Sequence, residues 1–170
     1  MVNEMRVNYE ITPLTLAVLA EEIDGHYTSV VMEDDQRFFV NKPPSRLIDY
    51  ACKFFGSSLR GRQEGTKGIC GITHKAPISI DPSSGMYFFP TSSPLNPDCS
   101  WISHSHIDRI LKISTDHSAI IFKNGSNVTL EISHGSLLNQ LQRTAQFRYL
   151  LDNRIKYLLK NTIDIVAEPF

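Results

Sequence analysis

The 170-residue chain contains one tryptophan, three cysteines and almost no excess of charge, with a net −1 and a pI near 6.6. The cysteines, Cys52, Cys70 and Cys99, are odd in number and widely spaced, which excludes a disulfide framework and predicts reduced thiols. Long apolar runs are missing: the longest, Leu14 to Ala20, falls far short of the ~20 residues a spanning helix needs. The first residues include Glu4 and Arg6 and no signal-type apolar segment, so a cytoplasmic location is expected and no membrane partner. The sequons at Asn124 and Asn127 are then chance matches. No Gly-x-Ser-x-Gly elbow, P-loop or dinucleotide fingerprint occurs, and there is no internal repeat. A hydrophobic fraction of 41% with 21% charges of both signs excludes collagen, mucin, coiled coil and bulk disorder.

What the chain does have is segregated charge. Residues 1–41 set Arg6 and Arg37 against eight acids, a net −6. Residues 42–75 set Lys42, Arg46, Lys53, Arg60, Arg62, Lys67 and Lys75 against Asp49 and Glu64, a net +5. Residues 139–160 carry a net +4. The near-neutral total hides two basic segments able to meet phosphates.

Pattern and punctuation predict the elements. Residues 6–20 read as one or two strands interrupted at Pro13, and Asp24-Gly25 as a turn. His26–Met32 and Arg37–Asn41 form a hairpin by pattern. Leu47, Ile48, Ala51, Phe54 and Phe55 recur at helical spacing between Pro44 and Gly56, predicting a helix over 45–55 with Arg46, Asp49 and Lys53 on its polar face. The glycine-rich stretch 56–68 reads as a loop or a short helix between loops. Short strands are expected at 69–74, 78–81, 86–89, 101–107 and 110–114. Asn124-Gly125 marks the clearest hairpin, because both turn positions need positive φ. A long helix closes the chain, with Ser136 as its cap and Leu137, Leu138, Leu141, Ala145, Leu151, Ile155, Leu158 and Leu159 as its apolar stripe. The fold class is α+β: an antiparallel sheet or partly open barrel with one short internal helix and a long C-terminal helix. The division is a β-rich core over 1–135, the helix over 136–160 and a short tail over 161–170.

Arg60-Gly61-Arg62 is the sharpest local feature. A glycine between two arginines lets an extended backbone lie flat against a narrow groove with both guanidinium groups inward, which suits the A·T minor groove. The bland alternative is a solvated basic loop. A second chemistry is open to Cys99, His104 and His106: on a strand the two histidines share a face, and a zinc-dependent enzyme or metal sensor would use these ligand types. Their spacing lacks the paired pattern of structural zinc sites, and no cofactor is expected otherwise.

Several strings together carry a resemblance. Ala20-Glu21-Glu22-Ile23-Asp24-Gly25, Cys52-Lys53-Phe54-Phe55-Gly56-Ser57-Ser58, Gly61-Arg62, Gly65-Thr66, His74-Lys75-Ala76-Pro77, Asp81-Pro82-Ser83, Phe89-Pro90-Thr91 and Trp101-Ile102-Ser103-His104 stand in this order over roughly residues 9–155. In these the chain resembles the ComK family of bacterial competence transcription factors. The resemblance implies a nucleoid-associated activator of DNA-uptake genes, not an enzyme. It would bind paired A·T-rich boxes in double-stranded promoter DNA, mainly through the minor groove, as a dimer that assembles further on DNA. RNA polymerase is the implied downstream partner. Control by a MecA-type adaptor and its Clp ATPase is implied too. The best-known members carry a longer tail with an aromatic, apolar adaptor-binding segment, where this chain ends at Ile163 to Phe170.

The expected DNA-binding residues are Lys53, Arg60, Arg62, Lys67 and Lys75. Arg60 and Arg62 are assigned to the groove, with Arg62 favoured because it lies within a matched string, and the lysines to phosphates. Leu151, Ile155, Leu158 and Leu159 are expected either to serve partly as a self-association surface or only to cap the sheet.

Overall fold

Left-handed backbone in two turns sets the first hairpins. Asp24 and Gly25 have φ of 50° and 78°, and they join strand β2 (Thr15–Ile23) to β3 (His26–Glu33). Asp34, with φ 51°, lies in the next turn and returns the chain as β4 (Gln36–Val40). Here and below, the fold is that of a computed structural model, which describes residues 4–166. The other strands are β1 (Met5–Arg6), β5 (Ile78–Asp81), β6 (Met86–Pro90), β7 (Trp101–Ser103), β8 (Ile107–Lys112), β9 (Ser118–Phe122) and β10 (Asn127–Leu130). The helices are α1 (Pro44–Phe54), α2 (Leu59–Cys70) and α3 (His134–Val166).

The seven-stranded sheet runs β1-β4-β3-β2-β7-β6-β5, antiparallel except for the short β1–β4 pair at one edge. A separate three-stranded sheet, β10-β9-β8, is closed by the Asn124-Gly125 turn. The architecture is α+β with open sheets, not a barrel.

Alternation along the strands explains how the large sheet is covered on both faces. Val31, Phe88 and Trp101 point to one side, into a cluster with Leu47, Ile48, Ala51 and Cys52 of α1. Their neighbours Met32, Phe89 and Ile102 point to the other, into a cluster with Ile120 and Phe122 of the small sheet and Leu137 of α3. Strand β6, Met86-Tyr87-Phe88-Phe89-Pro90, is therefore buried at every position, as expected of a strand with both faces covered. The single tryptophan is fully buried, and its Nε1–H donates to Ser45 Oγ at 3.0 Å, tying sheet to helix α1.

Three local expectations are corrected. Residues 69–74 are not a strand: they are the end of α2 and a loop, because Ser58 caps α2 and Gly71 ends it in the left-handed conformation. His104–His106 form a single 3-10 turn rather than strand, so the two histidines do not share a strand face. Helix α3 starts at His134 and not after Ser136: Ser133 Oγ accepts from the Ser136 N–H at 3.2 Å and so acts as the cap. The helix runs to Val166, taking in residues 161–166 of the expected short tail, and residues 167–170 lie outside the described residues.

Among the described residues no helix is long and apolar enough to cross a membrane.

Candidate functional site

Helix α2 forms despite three glycines in twelve residues, Gly61, Gly65 and Gly68. Each weakens a helix by about 1 kcal/mol relative to alanine, so tertiary anchors must hold it. At its start, Ser58 Oγ accepts from the Gly61 N–H at 2.9 Å, and Asp49 Oδ1 of α1 accepts from the Leu59 N–H at 2.9 Å. A Cβ at Gly61 would lie 2.9 Å from Ser57 Oγ and 3.2 Å from Ser58 Oγ, so this glycine serves the cap. On the buried face, Thr66 Oγ1 donates to Pro77 O at 2.6 Å and Arg62 Nη2 donates to Ile80 O at 3.1 Å.

The helical backbone overturns the flat-loop geometry expected of Arg60-Gly61-Arg62. Two residues on a helix are about 200° apart, so the guanidinium groups diverge. Arg62 turns toward strand β5, with its Nε buried. Arg60 turns outward, its side chain 89% exposed and only loosely paired with Glu64 at 3.4 Å.

Outward on α2, Arg60, Glu64 and Lys67 follow the i, i+4, i+7 spacing of one face. They line a cleft of about 610 Å³ together with His74 and Lys75 of the following loop and Pro94-Leu95 of another. Three expected residues, Arg60, Lys67 and Lys75, are thus brought to one place, although 15 positions separate the first from the last. Lys53 is not among them. It pairs with Asp49 at 2.9 Å and lines a smaller cleft of about 110 Å³ with Lys42 and Arg46. Asp49 lines both clefts, so the two basic surfaces adjoin across it. Burial raises the Asp49 pKa, but the Leu59 N–H and the Lys53 ammonium outweigh this and hold it below its ordinary value. Asp49 therefore stays anionic and neutralises part of Lys53.

The loop bearing Lys75 is held from behind. Lys75 has φ 48°, uncommon for a residue with a Cβ. Gln140 of α3, 3% exposed, donates through Nε2 to Lys75 O at 3.0 Å and to Pro90 O at 2.8 Å. Arg143 donates through Nη1 to Gln140 Oε1 at 2.7 Å and through Nη2 to His74 O. Nothing in the sequence foretold this clamp, and the expected DNA-binding set left out Lys42, Arg46 and His74, which line the two clefts. Arg46 and Lys53 share the polar face of α1 by their spacing, which was the available signal. Contacts to a loop 65 residues away leave none.

The zinc alternative fails on the positions of its ligands. Cys99 is buried with Sγ 3.4 Å from Ser92 O, and burial raises its pKa. His106 Nε2 lies 2.6 Å from Pro13 O. Burial first, then Arg148 and Lys123, push the His104 pKa down to about 4. Among the described residues no three His, Cys, Asp or Glu side chains gather as a metal site.

The terminal helix changes character along its length. Leu137, Thr144 and Phe147 are buried, and Phe147 meets the Tyr87 ring edge-on at 5.9 Å. Arg148 lies over the same ring at 4.9 Å and donates to Ser105 Oγ at 2.8 Å. Beyond it, Leu151 and Ile155 are half-buried, while Leu158 and Leu159 are 63% and 58% exposed. The last two do not cap the sheet.

Residues 6–156 match the family model described as ComK protein. The chain is also 40% identical over 162 residues to the competence transcription factor of Bacillus subtilis (strain 168), covering 95% of this chain and 84% of that protein. The chain belongs to the ComK family. The ComK match takes in both clefts, α1, α2 and the greater part of α3. No solved structure matches the chain.

Proposed function

We propose that this ComK-family chain is a transcriptional activator of competence genes, and that it binds A·T-rich promoter boxes through the cleft along α2. The observation that carries this reading is the convergence of Arg60, Lys67 and Lys75 on one open cleft, with Lys42, Arg46 and Lys53 adjoining. Lysines and arginines on a shared face neutralise successive phosphates and release counterions. A whole α-helix, about 10–12 Å across, is too wide for a B-form minor groove of about 6 Å. Helix α2 therefore rests on the backbone and sends in a side chain. Arg60 is the groove residue, because Arg62 is tied to the sheet. Lys67, Lys75 and Lys53 take phosphates.

Self-association belongs to the same proposal. Paired DNA boxes call for a two-fold protein, and the exposed Leu158 and Leu159, beside the half-buried Leu151 and Ile155, offer an apolar surface for a second copy. Activation then proceeds through RNA polymerase. Control by a MecA-type adaptor and Clp ATPase rests on family membership alone.

Inosine–cytosine pairs test the groove. They keep the minor-groove surface of A·T pairs and change the major groove. Binding of the protein to a box should survive the exchange. Loss of binding would assign the reading to the major groove, with α1 or α2 as the inserted helix.

A further inference from the structure

Leu95 is the most exposed large apolar side chain among the described residues, at 95%. A lone surface leucine is ordinary. This one stands with Pro94 on the rim of the basic cleft that also holds Arg60, Lys67 and Lys75.

Its loop is built to hold it there. Pro94 and Pro97 flank Leu95-Asn96, fixing their own φ and restricting Ser93 and Asn96 before them. The Asn96 N–H donates to Ser93 O at 2.9 Å and the Cys99 N–H to Asn96 O at 3.1 Å, closing two successive turns. At the base, the Thr91 N–H donates to Ser100 O at 2.9 Å, Thr91 Oγ1 accepts from the Ser100 N–H at 3.1 Å, and Cys99 is fully buried. Gln140 holds the Pro90 carbonyl just before it. A stiff loop thus presents an apolar tip to solvent beside cations.

Apolar wedges beside basic groove contacts are how minor-groove proteins unstack a base step and kink the duplex. We infer that Leu95, backed by Pro94, inserts between adjacent base pairs of the bound A·T-rich duplex and bends it. The inference rests on the cleft being the DNA-binding face. Insertion buries the leucine that the free protein leaves in water, and the bend brings more phosphates within reach of the cleft. The preferred point of entry is a TpA step, which unstacks more easily than ApT or ApA.

Two duplexes of the same composition, differing only by exchange of one TpA for ApT within the box, separate this from ordinary groove binding. Their minor grooves present the same acceptors, so a preference between them reports deformation. The native protein should favour the TpA duplex by roughly tenfold and raise energy transfer between dyes at the two duplex ends. Leu95→Ser should lose both effects while keeping the fold, since the side chain packs on nothing. Leu95→Met should retain them. Binding without any change in energy transfer, or a bend and a TpA preference that survive in Leu95→Ser, would overturn the wedge and leave the cleft assignment standing. Failure of the native protein to bind either duplex would overturn the cleft assignment and the wedge together.

Discussion

Arg60 and Arg62 flank a single glycine yet occupy opposite faces of α2: one guanidinium is in solvent over the cleft, and the other donates to the Ile80 carbonyl. The pair therefore separates binding from stability. Arg60→Ala should weaken DNA binding and leave the melting temperature within a degree or two. Arg62→Ala strands the Ile80 carbonyl and should cost roughly 1–3 kcal/mol of stability. Thermal melts beside DNA titrations check this. Equal loss of stability in both variants would contradict the division.

The clamp behind Lys75 gives a charge-neutral test. Gln140 is buried and cannot touch DNA, so Gln140→Met acts on binding through the two loops whose carbonyls it holds, at Lys75 and at Pro90, and only the first carries a cation. It should make the salt dependence of binding shallower, by about 0.9 in log–log slope, and the double variant with Lys75→Ala should have the same slope as Lys75→Ala alone. A further change of slope in the double variant would show that Gln140 does not act through Lys75.

Much of this fold is legible in the residues. Asp24-Gly25 announces its hairpin because few other pairs tolerate two left-handed positions; Asn124-Gly125 marks its turn as well, although only Gly125 there is left-handed, with φ 89°; and α1 declares itself by the spacing of Leu47, Ile48 and Ala51. Helix α2 stays undecided between loop and short helix in the sequence for a physical reason. Its glycines lower helix propensity, and the contacts that hold it, from Asp49, Pro77 and Ile80, come from outside the segment. A backbone read as extended puts both arginines on the same side, and the helix parts them. The cleft was legible only as a net charge over 42–75. Which of those cations share a surface depends on the turn at Gly71 and on the loop clamped by α3. The wedge loop showed only its prolines, because exposure is not written in sequence.

The end of α3 predicts an oligomeric transition. Leu158 and Leu159 lie outside this chain's core, so changing both to Glu should leave a folded protein and yield a monomer by light scattering. That monomer should bind paired boxes more weakly and without cooperativity. A variant that folds and remains dimeric would place the interface elsewhere.

His104 predicts a loss of stability in mild acid. It is neutral in the fold, with its pKa pushed down from 6.5 to about 4 by burial, and then by Arg148 and Lys123. The unfolded chain takes up a proton at the ordinary histidine pKa while the folded chain resists it. Its contribution is thus fully present above pH 6.5 and declines toward pH 4. The carboxylates with lowered pKa, Asp49, Asp81 and Asp116, lose their contribution only at lower pH. Denaturant melts between pH 7 and 4.5, followed by the fluorescence of buried Trp101, should show this slope in the native protein and lack it in His104→Gln.

The central claim is that one cleft, formed by α2 and two loops, holds the DNA. Its most direct test is the affinity for an A·T-rich duplex as a function of salt, in the native protein and in the variant Arg60→Ala/Lys67→Ala/Lys75→Ala. All three side chains are exposed, so the variant should melt with the native protein. The account predicts that the log–log slope becomes shallower by about 2–3, with affinity at low salt falling by orders of magnitude. An unchanged slope and affinity in a folded triple variant would contradict it.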